Sequence, residues 1–112
     1  MPDHDLTARE HCLALRAALV INATREALDA LTGLARHCAA RGQDQQAANL
    51  LTFVLRHPDV RYDTFDDAEE LFSALEARAG ADVVADARQF ALGKTLRTVA
   101  EYACALAGAE PR

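Results

Sequence analysis

The sequence is poor in the residues that build sheets and irregular loops. It has no tryptophan, 5% aromatic residues, three prolines and five glycines among 112 residues. Aromatic and β-branched residues are too few for a sheet, whereas alanine and leucine, which favour helices, dominate. A chain of this length typically folds as one domain that buries roughly two thirds of its unfolded surface. We therefore predict a single all-α domain.

Cysteine and long apolar runs are also scarce. Cys12, Cys38 and Cys104 are odd in number, widely spaced and placed within helical patterns, so we expect no disulfide framework. We interpret Cys38 and Cys104 as core positions, where a thiol behaves as a small apolar group. No apolar run reaches the roughly 20 residues that span a bilayer, and the acidic residues 1–5 lack the basic and apolar regions of a signal peptide. These absences predict a cytoplasmic protein with no membrane span.

The charge pattern lacks a basic block. The formal net charge is −5, with both signs spread along the chain. This distribution argues against binding to nucleic acid through phosphates, and it is compatible with protein partners.

The strongest helical pattern runs from Glu26 to Pro58. Both halves of this stretch place apolar residues three and four positions apart, namely Ala27, Leu28, Leu31, Leu34, Ala35 and Cys38, then Ala47, Ala48, Leu51, Val54 and Leu55. Gly42 lies between the halves, where a residue tolerant of positive φ can end the first helix. Pro58 biases the preceding residue away from helical geometry. We predict a helical hairpin.

Other helices are predicted on both sides of this hairpin. Thr7 and Glu10 form a capping box that begins a helix running to about Ile21. This helix has two apolar rows in need of a partner: Leu13, Ala17 and Val20, and Cys12, Leu15 and Leu19. Three helices follow the hairpin, with Thr64, Asp82 and Thr95 as their predicted N-caps and with Gly80 and Gly93 between them.

The central hairpin resembles a tetratricopeptide repeat. With the repeat unit set to Leu28–Arg61, large apolar, small and glycine residues stand where that family expects them, at Leu31, Leu34, Ala35, Gly42, Ala47 and Leu51. Cys38 stands where an aromatic residue is usual. The VL-x-HP turn at 54–58 and the A-R-x-x-A-x-G-x-x-L ending at 87–96 are also similar to the C-terminal helical-repeat regions of large bacterial ATP-dependent regulators. These regulators include LuxR-type activators of the signal-transducing ATPase group, and the resemblance covers roughly residues 25–106.

The resemblance implies a right-handed, repeat-like stack of about six antiparallel helices. It divides the chain into a flexible tail at 1–6, a partial-repeat helix at 7–21, a hairpin at 25–57 and a three-helix cap at 64–107. The groove positions of the family fall on Asp29, Thr32, Arg36, Asp66, Glu70 and Ser73. We expect the helix at 7–21 to keep part of its apolar face uncovered, which a homodimer could cover. The chain is either a small free-standing relative of these regulators or a terminal piece of one.

No catalytic, cofactor or metal signature stands out. Gly93-Lys94-Thr95 lacks the earlier glycine of a phosphate-binding loop. The pairs His11-Cys12 and His37-Cys38 contain good zinc ligands, but adjacent residues on a helix point about 100° apart. The acidic residues 66–70 are best interpreted as a solvated helix start. We therefore predict a protein that is not an enzyme and has no cofactor and no metal.

Three functions remain open on the sequence. The leading hypothesis is a protein-interaction or scaffolding module of a bacterial regulatory system, which binds a partner or itself. The first alternative is a small-molecule sensor domain of a transcriptional regulator. The second is weak DNA binding through Arg88, Lys94 and Arg97, although three cations in an acidic chain make a small electrostatic footprint.

Overall fold

Six α-helices make up the computed structural model, which describes residues 7–108. They are α1 (Ala8–Val20), α2 (Thr24–Ala40), α3 (Asp44–Arg56), α4 (Tyr62–Ala79), α5 (Ala81–Ala91) and α6 (Leu96–Gly108). The described residues contain no strand, so the all-α prediction is confirmed. The predicted flexible tail at 1–6 lies outside this range.

Several helix ends lie where the sequence places them. The Thr7 hydroxyl accepts a hydrogen bond from the Glu10 amide at 3.1 Å, and the Thr7 amide donates to Glu10 Oε1 at 2.7 Å, which completes the capping box. Gly42 has φ of +78°, as predicted for the turn of the hairpin. The backbone of His57 is extended, so α3 stops before Pro58. The Thr95 hydroxyl accepts from the Thr98 amide at 3.1 Å and caps α6.

Two predicted N-caps are wrong. Helix α4 starts three residues earlier than a cap at Thr64 would place it, because the Arg61 carbonyl already accepts from the Phe65 amide at 2.8 Å. Thr64 lies inside the first turn, where its buried hydroxyl turns toward Asp29 of α2 at 3.5 Å. Helix α5 begins directly after Gly80, whose φ is +95°, so Asp82 sits in the first turn instead of at the cap.

Helix α3 is the centre of the molecule. It packs against α2, α4, α5 and α6, and its side chains at Leu50, Leu51 and Val54 are fully buried. Hydrogen bonds also join α3 to two of its neighbours. Asn49 Nδ2 of α3 donates to the Tyr102 hydroxyl of α6 at 3.1 Å, and Gln45 Nε2 of α3 donates to the Val83 carbonyl of α5 at 3.2 Å. The hairpin predicted from sequence therefore supplies the element on which the C-terminal helices pack.

Helix α6 returns across the molecule to α1. Cys12 and Cys104 form a disulfide between these helices, with their Cα atoms 5.4 Å apart. The expectation of no disulfide is thus wrong, because the fold brings together two cysteines that are 92 residues apart in sequence. Cys38 is buried, as predicted, and lies outside this disulfide.

Because α6 packs on α1, the first and last helices of the stack are in contact. The molecule measures 35 × 32 × 26 Å with a radius of gyration of 12.9 Å, close to the value of about 13 Å typical of a globular domain of 100 residues. Within residues 7–108, no helix is both long and apolar enough to cross a bilayer.

Candidate functional site

The outward side of α1 carries a row of exposed apolar residues. Leu13, Val20 and Ile21 expose 60%, 82% and 72% of their surface, and Ala17 is also exposed. Spacings of four, three and one place them on one side of the helix. We call Leu13, Ala17, Val20 and Ile21 the α1 row. Single exposed leucines are ordinary on protein surfaces, whereas a contiguous apolar row points to an interaction site.

The opposite side of α1 is covered within the chain. Cys12, Leu15 and Ala18 are buried against α2 and α6. Of the two apolar rows predicted on this helix, the structure therefore covers the one with Cys12 and Leu15 and leaves the other exposed. Helices α2 and α6 both cover this side, and the contact with α6 is the part of the packing that the repeat resemblance did not imply.

The six predicted groove residues are divided between surface and core. Asp29 and Arg36 of α2 and Asp66, Glu70 and Ser73 of α4 are exposed. Thr32 is buried, and its hydroxyl donates to the Leu28 carbonyl at 3.0 Å, so its side chain faces the core. Asp29 reaches α4 at Thr64, which places the two helices side by side at that end. The use of the exposed five as a binding groove stays a prediction.

A histidine pair fills the contact between α1 and α2. The rings of His11 and His37 meet edge to face, with centroids 5.4 Å apart, and the His11 ring lies against the backbone of Gly33. Burial lowers the pKa of His11, as do the nearby charges of His37 and Arg36, while Asp29 and Glu10 act in the opposite direction. No three His, Cys, Asp or Glu residues between 7 and 108 come close enough together to hold a metal ion.

A second surface feature is a cleft at the C-terminal end of α3. It has a volume of about 320 Å³ and lies between that end and the loop that joins α5 to α6. Arg56, His57 and Lys94 line it, and we call it the basic cleft. Its remaining lining is mainly apolar or backbone, contributed by Phe53, Pro58, Ala91, Leu92, Gly93, Thr95 and Leu96. No acidic residue is among the residues that line it.

The basic cleft could not be located from sequence spacing. In the sequence, Arg56 and His57 stand at the end of the predicted hairpin, far from Lys94, which is one of three dispersed candidate DNA contacts. The fold brings positions 56 and 94 together by packing α5 on α3. Arg97 lies instead in a neighbouring cleft with Asn22 and Thr24, and Arg88 is exposed on α5.

The chain matches no protein-family model, no curated protein and no solved structure. The repeat-like and regulatory resemblance therefore remains a prediction.

Proposed function

We propose that this chain is a non-enzymatic interaction module that pairs with a second copy of itself through the α1 row. The observation that carries the proposal is the contiguous exposure of Leu13, Val20 and Ile21 on a helix whose other side is fully packed. Burial of such a row favours association by about 25 cal/mol for each Å² of apolar surface removed from water, and the entropy lost on association offsets part of this gain.

Charge around the α1 row favours a second copy as the occupant. At about 100° per residue, Arg9 and Arg16 lie along one edge of the row and Glu10 along the other. Two copies can therefore set the basic edge of one beside the acidic edge of the other. Ala17 at the middle of the row is small enough to let the two helices approach closely.

The length of the α1 row indicates how stable the proposed dimer should be. It extends about 12 Å along the helix axis, which is short compared with a permanent interface. We therefore expect a reversible dimer whose fraction rises with protein concentration.

The regulatory role implied by the repeat-like resemblance is part of the same proposal. A small helical module that dimerises reversibly is suited to scaffolding in a signalling system. Its cytoplasmic location stays a prediction, and the Cys12–Cys104 disulfide tells against it, because cytosolic thiol systems keep most cysteines reduced.

Analytical ultracentrifugation over a range of concentrations tests the proposal. We expect dimer formation by the native chain, loss of the dimer in Val20→Lys, and retention in the control Tyr62→Lys, which places the same charge at an exposed residue of α4. A native chain that stays monomeric throughout, or a Tyr62→Lys variant that dissociates as fully as Val20→Lys, would show that α1 is not the interface.

A further inference from the structure

We propose that the basic cleft binds the phosphate group of a small organic phosphate monoester. This inference goes beyond self-association and is independent of it, because none of the residues that line the cleft belongs to the α1 row.

Among the described residues, the cations of the cleft form no salt bridge with a carboxylate. The salt bridges between described residues are Arg61–Glu26 and Arg78–Asp44, so neither Arg56 nor Lys94 is paired with a carboxylate in this part of the chain. The absence of an acidic lining residue matters in a protein of net charge −5, where acids outnumber bases. An anion in the cleft therefore meets attraction from two full positive charges, and no acidic residue is part of the lining.

Two of the three donor groups of the cleft, those of His57 and Lys94, are held in place by their neighbours. His57 Nδ1 accepts a hydrogen bond from the Asp59 amide at 3.2 Å, so the neutral ring carries its proton on Nε2 and can donate there. The Lys94 ammonium lies 4.8 Å from the centre of the Phe90 ring, a cation–π contact that limits its motion. The Arg56 guanidinium supplies a planar pair of donors that matches two oxygens of a phosphate.

The start of α6 adds a backbone donor to the same cleft. The Thr98 amide is taken by the Thr95 hydroxyl and the Val99 amide by the Thr95 carbonyl. The amide of Leu96, a residue that lines the cleft, precedes the first intrahelical hydrogen bond and lies at the positive end of the helix dipole. This geometry strengthens the attraction that the side chains of Arg56 and Lys94 already provide.

The shape of the cleft indicates what the phosphate is attached to. A volume of about 320 Å³ exceeds the needs of a phosphate group alone, and Phe53, Leu92 and Leu96 supply an apolar wall for a small organic body. The cations face one cleft and do not follow a helix or a stripe across the surface. This arrangement suits a single phosphate better than the repeated phosphates of a nucleic acid.

The test is an NMR titration of the full chain with ribose 5-phosphate, in a buffer of low salt without phosphate, and with ribose as the uncharged control. We expect saturable shifts of the amides at 56–57 and 93–97 with the phosphate ester and none with ribose. Arg56→Gln and Lys94→Gln are each expected to weaken binding by about tenfold, the effect of losing one charge-assisted hydrogen bond. Arg25→Gln, which removes an equal charge from an exposed position of α2, should change the affinity by less than about twofold.

Several outcomes would overturn the proposal. One is the absence of saturable shifts at these amides, and another is an equal response to ribose. A loss of affinity in Arg25→Gln as large as in Arg56→Gln would indicate a general charge effect. Shifts with a generic DNA duplex but none with ribose 5-phosphate would assign the surface to nucleic acid. Because Arg56 and Lys94 are both exposed, the two variants give independent readings with the fold intact, which circular dichroism checks.

Discussion

The imidazole ring of His11 on α1 occupies the space that a side chain at position 33 of α2 would fill. A Cβ built on Gly33 overlaps the His11 ring, and Gly33 is buried in the middle of its helix. A glycine at such a position costs roughly 0.5 to 1 kcal/mol of helix stability relative to alanine. The close approach of the two helices through His11 explains its presence.

Gly33→Ala should therefore destabilise the protein although alanine is the better helix former. We expect the free energy of unfolding to fall by about 1 to 2 kcal/mol, because the added methyl group displaces a packed ring. Urea denaturation measures the change. The control is the same substitution in a His11→Ala background, where the ring is gone and Gly33→Ala should raise stability by about 0.5 to 1 kcal/mol. Equal effects in both backgrounds would contradict the overlap.

Stability should fall on mild acidification because of His11. The pKa of His11 is lowered, first by burial and then by the charge of His37, so the unfolded chain takes up this proton more readily than the folded chain. The contribution of the neutral ring is complete above the ordinary histidine pKa of about 6.5 and is lost as the pH falls below it.

The measurement compares urea denaturation from about pH 8 to about pH 5 for the native chain and for His11→Gln. The other histidines are common to both proteins, so the difference between the two slopes reports His11 together with its electrostatic coupling to His37. A native chain no more sensitive to pH than His11→Gln would exclude this role. The carboxyl group of Glu10 affects stability in a separate and more acidic range of pH, since the hydrogen bonds with Thr7 hold its pKa below the ordinary value of 4.5.

The Cys12–Cys104 disulfide should make stability depend on the redox state. It closes a loop of 92 residues in sequence, so its reduction should lower the free energy of unfolding by about 2 to 4 kcal/mol. Urea denaturation with and without a dithiol measures this loss. Cys38→Ala should keep the sensitivity to the dithiol, and the double variant Cys12→Ala, Cys104→Ala should have none. If the native chain and the double variant respond alike, the disulfide does not form in solution.

The features that the sequence predicts correctly are helix caps and turns, which depend on residues close together along the chain. The capping box at Thr7, the turn at Gly42 and the cap at Thr95 depend on residues within one helical turn, and all three are confirmed. Cys12 meets Cys104 only because α6 returns to α1, a long-range contact that no spacing rule specifies.

The same distinction applies to the candidate sites. The α1 row was visible as apolar periodicity, although which of the two rows α2 and α6 would cover was not. In the basic cleft, Arg56 and Lys94 are brought together by the packing of α5 on α3. Thr32 was assigned to a groove from a repeat register, and its helix instead turns that position toward the core.

Two buried threonines with different hydrogen bonding provide the last prediction. The Thr52 hydroxyl of α3 has no hydrogen-bond partner among the described residues, whereas the Thr32 hydroxyl of α2 donates to the Leu28 carbonyl at 3.0 Å. A buried hydroxyl without a partner retains the cost of leaving water, which is about 1 to 3 kcal/mol. Thr52→Val keeps nearly the same volume and removes that group, so we expect it to raise the free energy of unfolding by about 1 kcal/mol.

Thr32→Val is the matched control, since it makes the same chemical change in an equally buried helix position. It removes a hydrogen bond that is formed, so it should leave stability unchanged or lower it by about 1 kcal/mol. Thermal and urea denaturation of the two variants measure the difference between their free energies of unfolding. The general effect of placing valine in a helix is the same in both variants and cancels in this difference. If Thr52→Val is no more stable than Thr32→Val, the Thr52 hydroxyl has a partner in solution, and the packing around α3 at this point is more polar than the fold indicates.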